Sequence, residues 1–213
     1  MSTTGRFVTM EGIEGVGKST QVARLSAALL EKGIAHVLTR EPGGTALAES
    51  IRDVVLTARD EALPATAELL LMFAARAVHL KNLVEPNLRA GRWVICDRFT
   101  DATYAYQGGG RGLPIEQIRE LEGMVQGALR PDLTVLLDAP VASALARARS
   151  RNAGADPDRF EREKTEFFER VRNAYLARAA AYPDRITVVD ATRSVDEVGA
   201  RILAQLLART WIS

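Results

Sequence analysis

An eight-residue stretch near the start of the chain, Gly12-Ile13-Glu14-Gly15-Val16-Gly17-Lys18-Ser19, fits the pattern G-x-x-x-x-G-K-[ST]. It constrains the fold because its chemistry works only at a strand–loop–helix junction. The glycines let successive backbone N–H groups turn inward around phosphate oxygens, and the following helix adds the positive end of its dipole. The flanks comply. The β-rich run Phe7-Val8-Thr9-Met10 leads in, and the segment Ser19–Lys32 leads out with Val22, Leu25, Leu29 and Leu30 on one helical face. Gly12, Ile13, Glu14, Gly15, Val16, Gly17, Lys18 and Ser19 are therefore the expected cradle of a nucleoside triphosphate. Lys18 would reach its β- and γ-phosphates, and the Ser19 hydroxyl would ligate Mg²⁺. The plainer alternative is a glycine-rich turn with no ligand.

The rest of the chain alternates short β-rich runs with longer helical ones, the signature of βαβ units around a mostly parallel sheet. The expected strands are Arg6–Glu11, Ala35–Thr39, Arg92–Asp97, Asp132–Asp138 and Arg185–Asp190. Runs such as Val135-Leu136-Leu137 suit strands covered on both faces. Helices are expected over Ser19–Lys32, Leu47–Leu56, Ala65–Leu88, Pro114–Leu129, Val141–Ser150, Phe160–Ala181 and Val195–Arg209, with Gly33 and Gly91 as C-terminal caps. The fold class is α/β: a P-loop NTPase-type three-layer fold, a five-stranded parallel sheet with helices on both faces. One domain spans residues 1–213, with a mobile lid over about 147–160, because Arg151-Asn152-Ala153-Gly154-Ala155-Asp156-Pro157-Asp158 is small, polar and turn-rich.

The 28 basic and 27 acidic residues balance to +1, which argues against non-specific nucleic-acid coating. The single cysteine, Cys96, sits in an apolar run and has no internal partner for a bridge, so a reducing interior is the default. The longest apolar stretch, Leu69–Ala75, is broken by Arg76, and the N-terminus offers no signal-peptide segment. A cytoplasmic protein with neither membrane nor nucleic acid as partner is expected.

A second magnesium ligand belongs at the end of a nearby strand. Asp97 closes Trp93–Cys96 and fits; Asp138 ends another strand and is the rival. Arg147, Arg149, Arg151 and Arg159 flank the turn-rich loop, where they could close over a phosphoryl group and neutralise its charge. Such runs are also often simply solvated. No Asn/Thr-Lys-x-Asp segment is present, which disfavours a GTPase. Arg76 lies in an apolar helix and faces either a polar pocket or, by its long stem, the surface. Gly108-Gly109-Gly110 reads as a loop.

Beyond the phosphate loop through Thr20, four segments carry a resemblance over nearly the whole chain: Thr39–Thr45, Met72–Arg76, Asp97-Arg98-Phe99 and Tyr106–Gly112. Together they resemble the thymidylate (dTMP) kinases, and most closely the bacterial type with catalytic arginines in the lid, since Glu14 is followed by Gly15 and not arginine. The resemblance implies phosphorylation of dTMP by ATP with Mg²⁺, in dTTP biosynthesis, by a homodimer. Thr20 joins the ATP-binding loop, with Arg147 and Arg159, while Arg149 and Arg151 join Lys18, Arg98 and Glu14 in catalysis. Glu14 would bind the deoxyribose 3′-hydroxyl, and Arg98 would hold the acceptor phosphate with Arg40 assisting. Arg76 and Gln107 would bond the base near Thr103, Tyr106 would crowd the 2′ position, and Arg52 and Pro42 would line the pocket. The family places an aromatic four residues before the base-reading arginine. Here that position is Met72, with Phe73 next to it, and either could lie against thymine. A kinase of another small acceptor would be separated by assaying dTMP, dUMP, CMP and GMP side by side, and a P-loop switch gating a partner by whether ATP consumption depends on added dTMP.

Overall fold

The computed structural model describes residues 5–58, 60–151 and 158–212. Strand β1 (Phe7–Glu11) is buried along its whole length and lies at the centre of a parallel sheet. It is flanked by β3 (Trp93–Asp97) and β4 (Leu133–Asp138), with β2 (His36–Arg40) outside β3 and β5 (Ile186–Asp190) outside β4. The order β2-β3-β1-β4-β5 is the expected five-stranded parallel arrangement. Each strand starts one residue later than its apolar run suggested, and β2 continues to Arg40. Pairing Met10 with Asp97, Arg40 with Asp97 and Glu11 with Leu136 brings the carboxyl ends of the central strands to one edge, where ligands of open α/β sheets bind.

Helices cover both faces. On one, Val8, Met10 and Ile95 pack with Val22, Leu25 and Leu29 of α1 (Lys18–Glu31) and with Ile202 and Leu206 of α9 (Val195–Ala208). On the other, Phe7, Val94 and Cys96 meet Leu80, Val84 and Phe99. Helix α9 opens with a capping box between Ser194 and Glu197. By contrast, α1 opens on Gly17 with no side-chain cap, which leaves its first N–H groups for a ligand. Helix α2 (Ala46–Leu56) packs along α3 (Ala65–His79). None of the described helices is long and apolar enough to cross a membrane.

Two expectations need correction. The helix expected over Ala65–Leu88 ends at His79, passes through a π turn at Leu80–Val84, and resumes as α4 (Glu85–Arg89). Pro86 accounts for this: it has no N–H to give and its ring crowds the preceding turn. The triple glycine is not a loop. After α5 (Thr100–Thr103), a π-helical turn runs over Tyr104–Gly110, and α6 (Ile115–Gln126) follows. Glycine is required there because α8 (Thr165–Ala181) lies so close. A Cβ on Gly109 would sit 2.5 Å from the Ala174 Cβ, and one on Gly110 2.5 Å from the Phe167 ring.

Candidate active site

The phosphate loop is pinned from below by Ile13 and Val16, both in the core. Behind it lies α7 (Val141–Arg151). Gly15 adopts φ +76°, and a Cβ there would approach the Ala144 carbonyl oxygen to 1.9 Å. That contact explains on steric grounds why glycine follows Glu14. The Lys18 ammonium donates to the Gly12 and Ile13 carbonyls at 3.1 and 2.9 Å. Burial, reinforced by the Arg98 charge, pushes its pKa down to about 8. A lysine so poorly solvated gains most from an arriving polyanion. Thr20 is exposed on the first turn of α1.

Ser19, Asp97 and Arg40 line one cleft beside the loop. Asp97 Oδ1 is buried and has no hydrogen-bond partner among the described residues. A free carboxylate oxygen sharing a cleft with the P-loop serine fits a hard divalent cation. The rival Asp138 is taken: both of its oxygens accept from Arg172, at 2.7 and 2.8 Å. Arg40 is paired with Glu49 at 2.9 Å in this same cleft, and it does not line the neighbouring pocket where the other residues expected at the acceptor meet.

That neighbouring pocket gathers Glu14, Pro42, Arg52, Met72, Arg76, Arg98, Thr103, Tyr106 and Gln107. Arg76 does not reach the surface; it is 3% exposed, its Nε donates to Glu41 at 2.7 Å and its Nη2 to Thr103 at 2.9 Å. Its guanidinium lies over the rings of Phe73 and Phe99. Burial pushes the Glu41 carboxyl up, but Arg76 and His79 outweigh it and hold the group below the usual range. Two atoms among these residues stand out. Arg76 Nη1, a donor, and Gln107 Oε1, an acceptor, are both buried without a partner among the described residues. Met72 is on the pocket wall, as its i−4 spacing from Arg76 suggests, and Phe73 packs beneath with Leu69, Tyr104 and Ile118. Arg52 Nη1 donates to the Pro42 carbonyl at 2.9 Å.

At the mouth of the pocket nearest the loop, Arg98 holds φ +70°, a left-handed conformation that a non-glycine residue adopts at a cost. The turn aims its guanidinium back at the phosphate loop. Nη1 donates to the Gly12 carbonyl at 2.9 Å and Nη2 to Glu14 at 2.9 Å. Tyr106 also donates to both Glu14 oxygens, at 2.9 and 2.8 Å. Burial opposes the Arg98 charge, yet the surrounding groups, Tyr106 and Glu14 foremost, keep the guanidinium protonated well above its usual range. Glu14 thus joins the phosphate loop, the arginine and the tyrosine in one cluster.

The lid residues are not gathered with these. Arg147 and Arg149 are exposed on α7, Arg147 reaching the Ala191 carbonyl at 3.4 Å. The Arg151 side chain and residues 152–157 lie outside the described residues. Arg159, expected at ATP, instead pairs with Glu68, which also accepts from Gln107, and donates to the Val55 carbonyl at 2.9 Å. Residues not foreseen at the pocket are Glu41, Leu56, Phe99, Ala102, Asp158 and Phe160, and behind it the buried carboxylates Glu11, Glu68 and Asp101. Glu41 and Phe99 lie within the segments that carry the resemblance, and Glu11 has a local signal as an acid ending a strand directly before the loop.

A family model described as thymidylate kinase matches residues 10–202. The thymidylate kinase of Chromohalobacter salexigens is 57% identical over 208 residues, covering 97% of each chain. That of Pseudomonas putida is 55% identical over 203 residues, 95% of each. A crystal structure of thymidylate kinase from Ehrlichia chaffeensis superposes with TM-score 0.76 at 33% identity, covering 95% of this chain and 98% of that one. With a phosphate loop, an arginine facing it and a buried donor–acceptor pair set in one sheet edge, and with these likenesses running end to end, the chain belongs to the thymidylate kinase family.

Proposed function

We propose that the protein transfers the γ-phosphoryl group of ATP to dTMP, giving dTDP and ADP. The observation that carries the base assignment is the pair of unpartnered atoms, Arg76 Nη1 and Gln107 Oε1. A pyrimidine-2,4-dione presents an acceptor at O4 beside a donor at N3–H, which satisfies both. A 4-aminopyrimidine presents the reverse and would leave two buried groups unpaired. Met72, Pro42 and the Phe99 ring supply apolar walls for the ring and its methyl group.

Phosphoryl transfer asks little covalent chemistry of the protein, so the residues align two polyanions and neutralise charge. The backbone amides from Gly12 to Thr20 and Lys18 cradle the donor. Arg98 holds the acceptor phosphate, and Glu14 orients Arg98 while accepting from the sugar hydroxyl. Tyr106, wedged edge-on among Phe160, Phe167 and Tyr175, restricts the space beside the sugar. Ser19 and Asp97 would hold Mg²⁺, which supplies neutralisation of the β- and γ-oxygens when bound. Arg149 and Arg151 would approach the transferring group from α7. This is supported by the seat of α7 against the loop at Gly15. Leu47 and Val54 on α2 and Leu70 on α3 are exposed apolar residues on neighbouring helices, which supports a homodimer. A free, buried Cys96 suits a cytoplasmic setting.

The test is a coupled ADP-release assay with dTMP, dUMP, dCMP and dGMP side by side. dTMP is the best acceptor and dUMP a weaker one, since a methyl group in an apolar pocket is worth only about 1–3 kcal/mol. A better rate with dCMP or dGMP, or ATP consumption independent of any acceptor, refutes the reading.

A further inference from the structure

Glu68, on the first turns of α3, is 0% exposed and does not line the pocket, yet its carboxylate gathers donors from three directions. Gln107 Nε2 donates to its Oε1 at 2.7 Å, Arg111 Nε bridges both oxygens at 3.3 and 3.2 Å, and Arg159 pairs with Oε2. The first of these has a consequence for specificity. A glutamine side chain has a donor end and an acceptor end of nearly the same shape, and only its neighbours decide which end points where. A carboxylate accepts and cannot donate, so the end of Gln107 that faces Glu68 has to be the nitrogen. The oxygen is then turned toward the pocket, where it is buried without a partner among the described residues.

Resting on the base reading given above, we propose that Glu68 is a positioning residue for acceptor specificity. By fixing the amide of Gln107 it makes that residue an acceptor toward the base, so that the pocket takes an N3–H and turns away a ring nitrogen lone pair. Arg76 is a donor in every state and needs no such help. Gln107 does. The same carboxylate also ties Arg159 and Arg111 to this point, and Arg111 in turn pairs with Glu163, so the segment after residue 158 is fastened to the group that sets the base reader.

The experiment compares kcat and KM for dTMP and dCMP in the wild-type enzyme, Glu68→Gln and Glu68→Asp, with thermal melts of each. In the wild type the ratio of kcat/KM for dTMP over dCMP is at least about a hundredfold. If it is not, the base reading fails, whatever Glu68 does. In Glu68→Gln the new amide can offer N–H to Gln107, reversing it. The ratio then falls by about tenfold or more, mainly through KM for dTMP. Glu68→Asp keeps the anion but draws it back by one methylene; the ratio falls by about threefold with kcat on dTMP held within twofold. Glu68→Asp carries the test alone if Glu68→Gln melts below the assay temperature. A ratio within twofold of wild type in a folded variant, or a loss of kcat and melting temperature with the ratio kept, overturns the proposal.

Discussion

Gly109→Ala offers a direct test of the packing that places the base reader. Gly109 lies within the π-helical turn and not at a positive φ, so an alanine there gains about 1 kcal/mol in backbone propensity. Against that stands the collision. The new methyl would lie 2.5 Å from the Ala174 Cβ and 3.0 Å from the Arg170 carbonyl oxygen, where carbon atoms normally rest about 3.5–4.0 Å apart. The obstacles are a Cβ and backbone of α8, which cannot rotate away, so α8 and the π turn must separate by about 1 Å. Overpacking of this kind costs about 1–3 kcal/mol and occasionally more. With a Cβ and a carbonyl of α8 as the obstacles, the upper part of that range, about 2–3 kcal/mol, applies. The net expectation is therefore a loss of about 1–2 kcal/mol in urea denaturation, or about 2–8 °C in Tm for a chain of this size. KM for dTMP rises as well, because Tyr106 and Gln107 ride on the displaced turn. Ala174→Gly deletes the main obstacle. In the double variant Gly109→Ala/Ala174→Gly the losses are less than additive by about 1 kcal/mol or more, the coupling expected of touching residues. Additive losses, or a Gly109→Ala protein as stable as wild type, would show that glycine at 109 is not there for α8.

Arg98→Ala removes the cation that faces the loop and leaves Glu14 without its pair; kcat falls by about 10²–10³, and activity near wild type would exclude Arg98 from the site. For Lys18, with pKa lowered to about 8, the free enzyme loses the charge as pH rises through that value, while bound phosphate favours the charged form. Calorimetric ATP affinity therefore weakens above pH 8, approaching tenfold per pH unit, and Lys18→Arg flattens the curve; a wild-type affinity constant from pH 7 to 9.5 contradicts this. Burial first, and Asp101 second, raise the Glu11 carboxyl to about 8, against 4.5 unfolded. Its contribution is fully present below about pH 4.5 and is lost as pH rises toward 8, because the unfolded chain releases the proton first. Glu11→Gln cannot titrate, so its stability relative to wild type improves by a few kcal/mol between pH 5 and pH 8. Parallel urea titrations with a constant gap would mean that Glu11 keeps one state throughout.

The strands were readable because both-face burial writes itself as unbroken apolar runs, and the phosphate loop because its glycines and lysine serve one local geometry. Met72 could be placed on the pocket wall because one helix turn links it to Arg76. What could not be read depends on distant partners. Nothing near Gly108–Gly110 announces that α8, some sixty residues later, passes close enough to forbid a methyl group. Nor does Glu41 or Glu68 differ locally from a solvated surface acid; each is defined by arginines brought in from elsewhere, Arg76 for one and Arg111 and Arg159 for the other. The resemblance and its nearness to the lid in sequence point Arg159 to ATP, whereas Glu68 draws it to the carboxylate that also holds Gln107. The break after His79 was signalled by Pro86 but masked by the apolar periodicity on either side of it.

Gly15 meets α7 main chain to main chain, with the Ala144 carbonyl and the Ala148 nitrogen as the nearest atoms to its missing Cβ. A tilt of α7 of even half an ångström would therefore reach the amides of the phosphate loop directly. A group on α7 that met a bound nucleotide would reshape the cradle beneath in the same stroke, as a latch moves with the door it is screwed to.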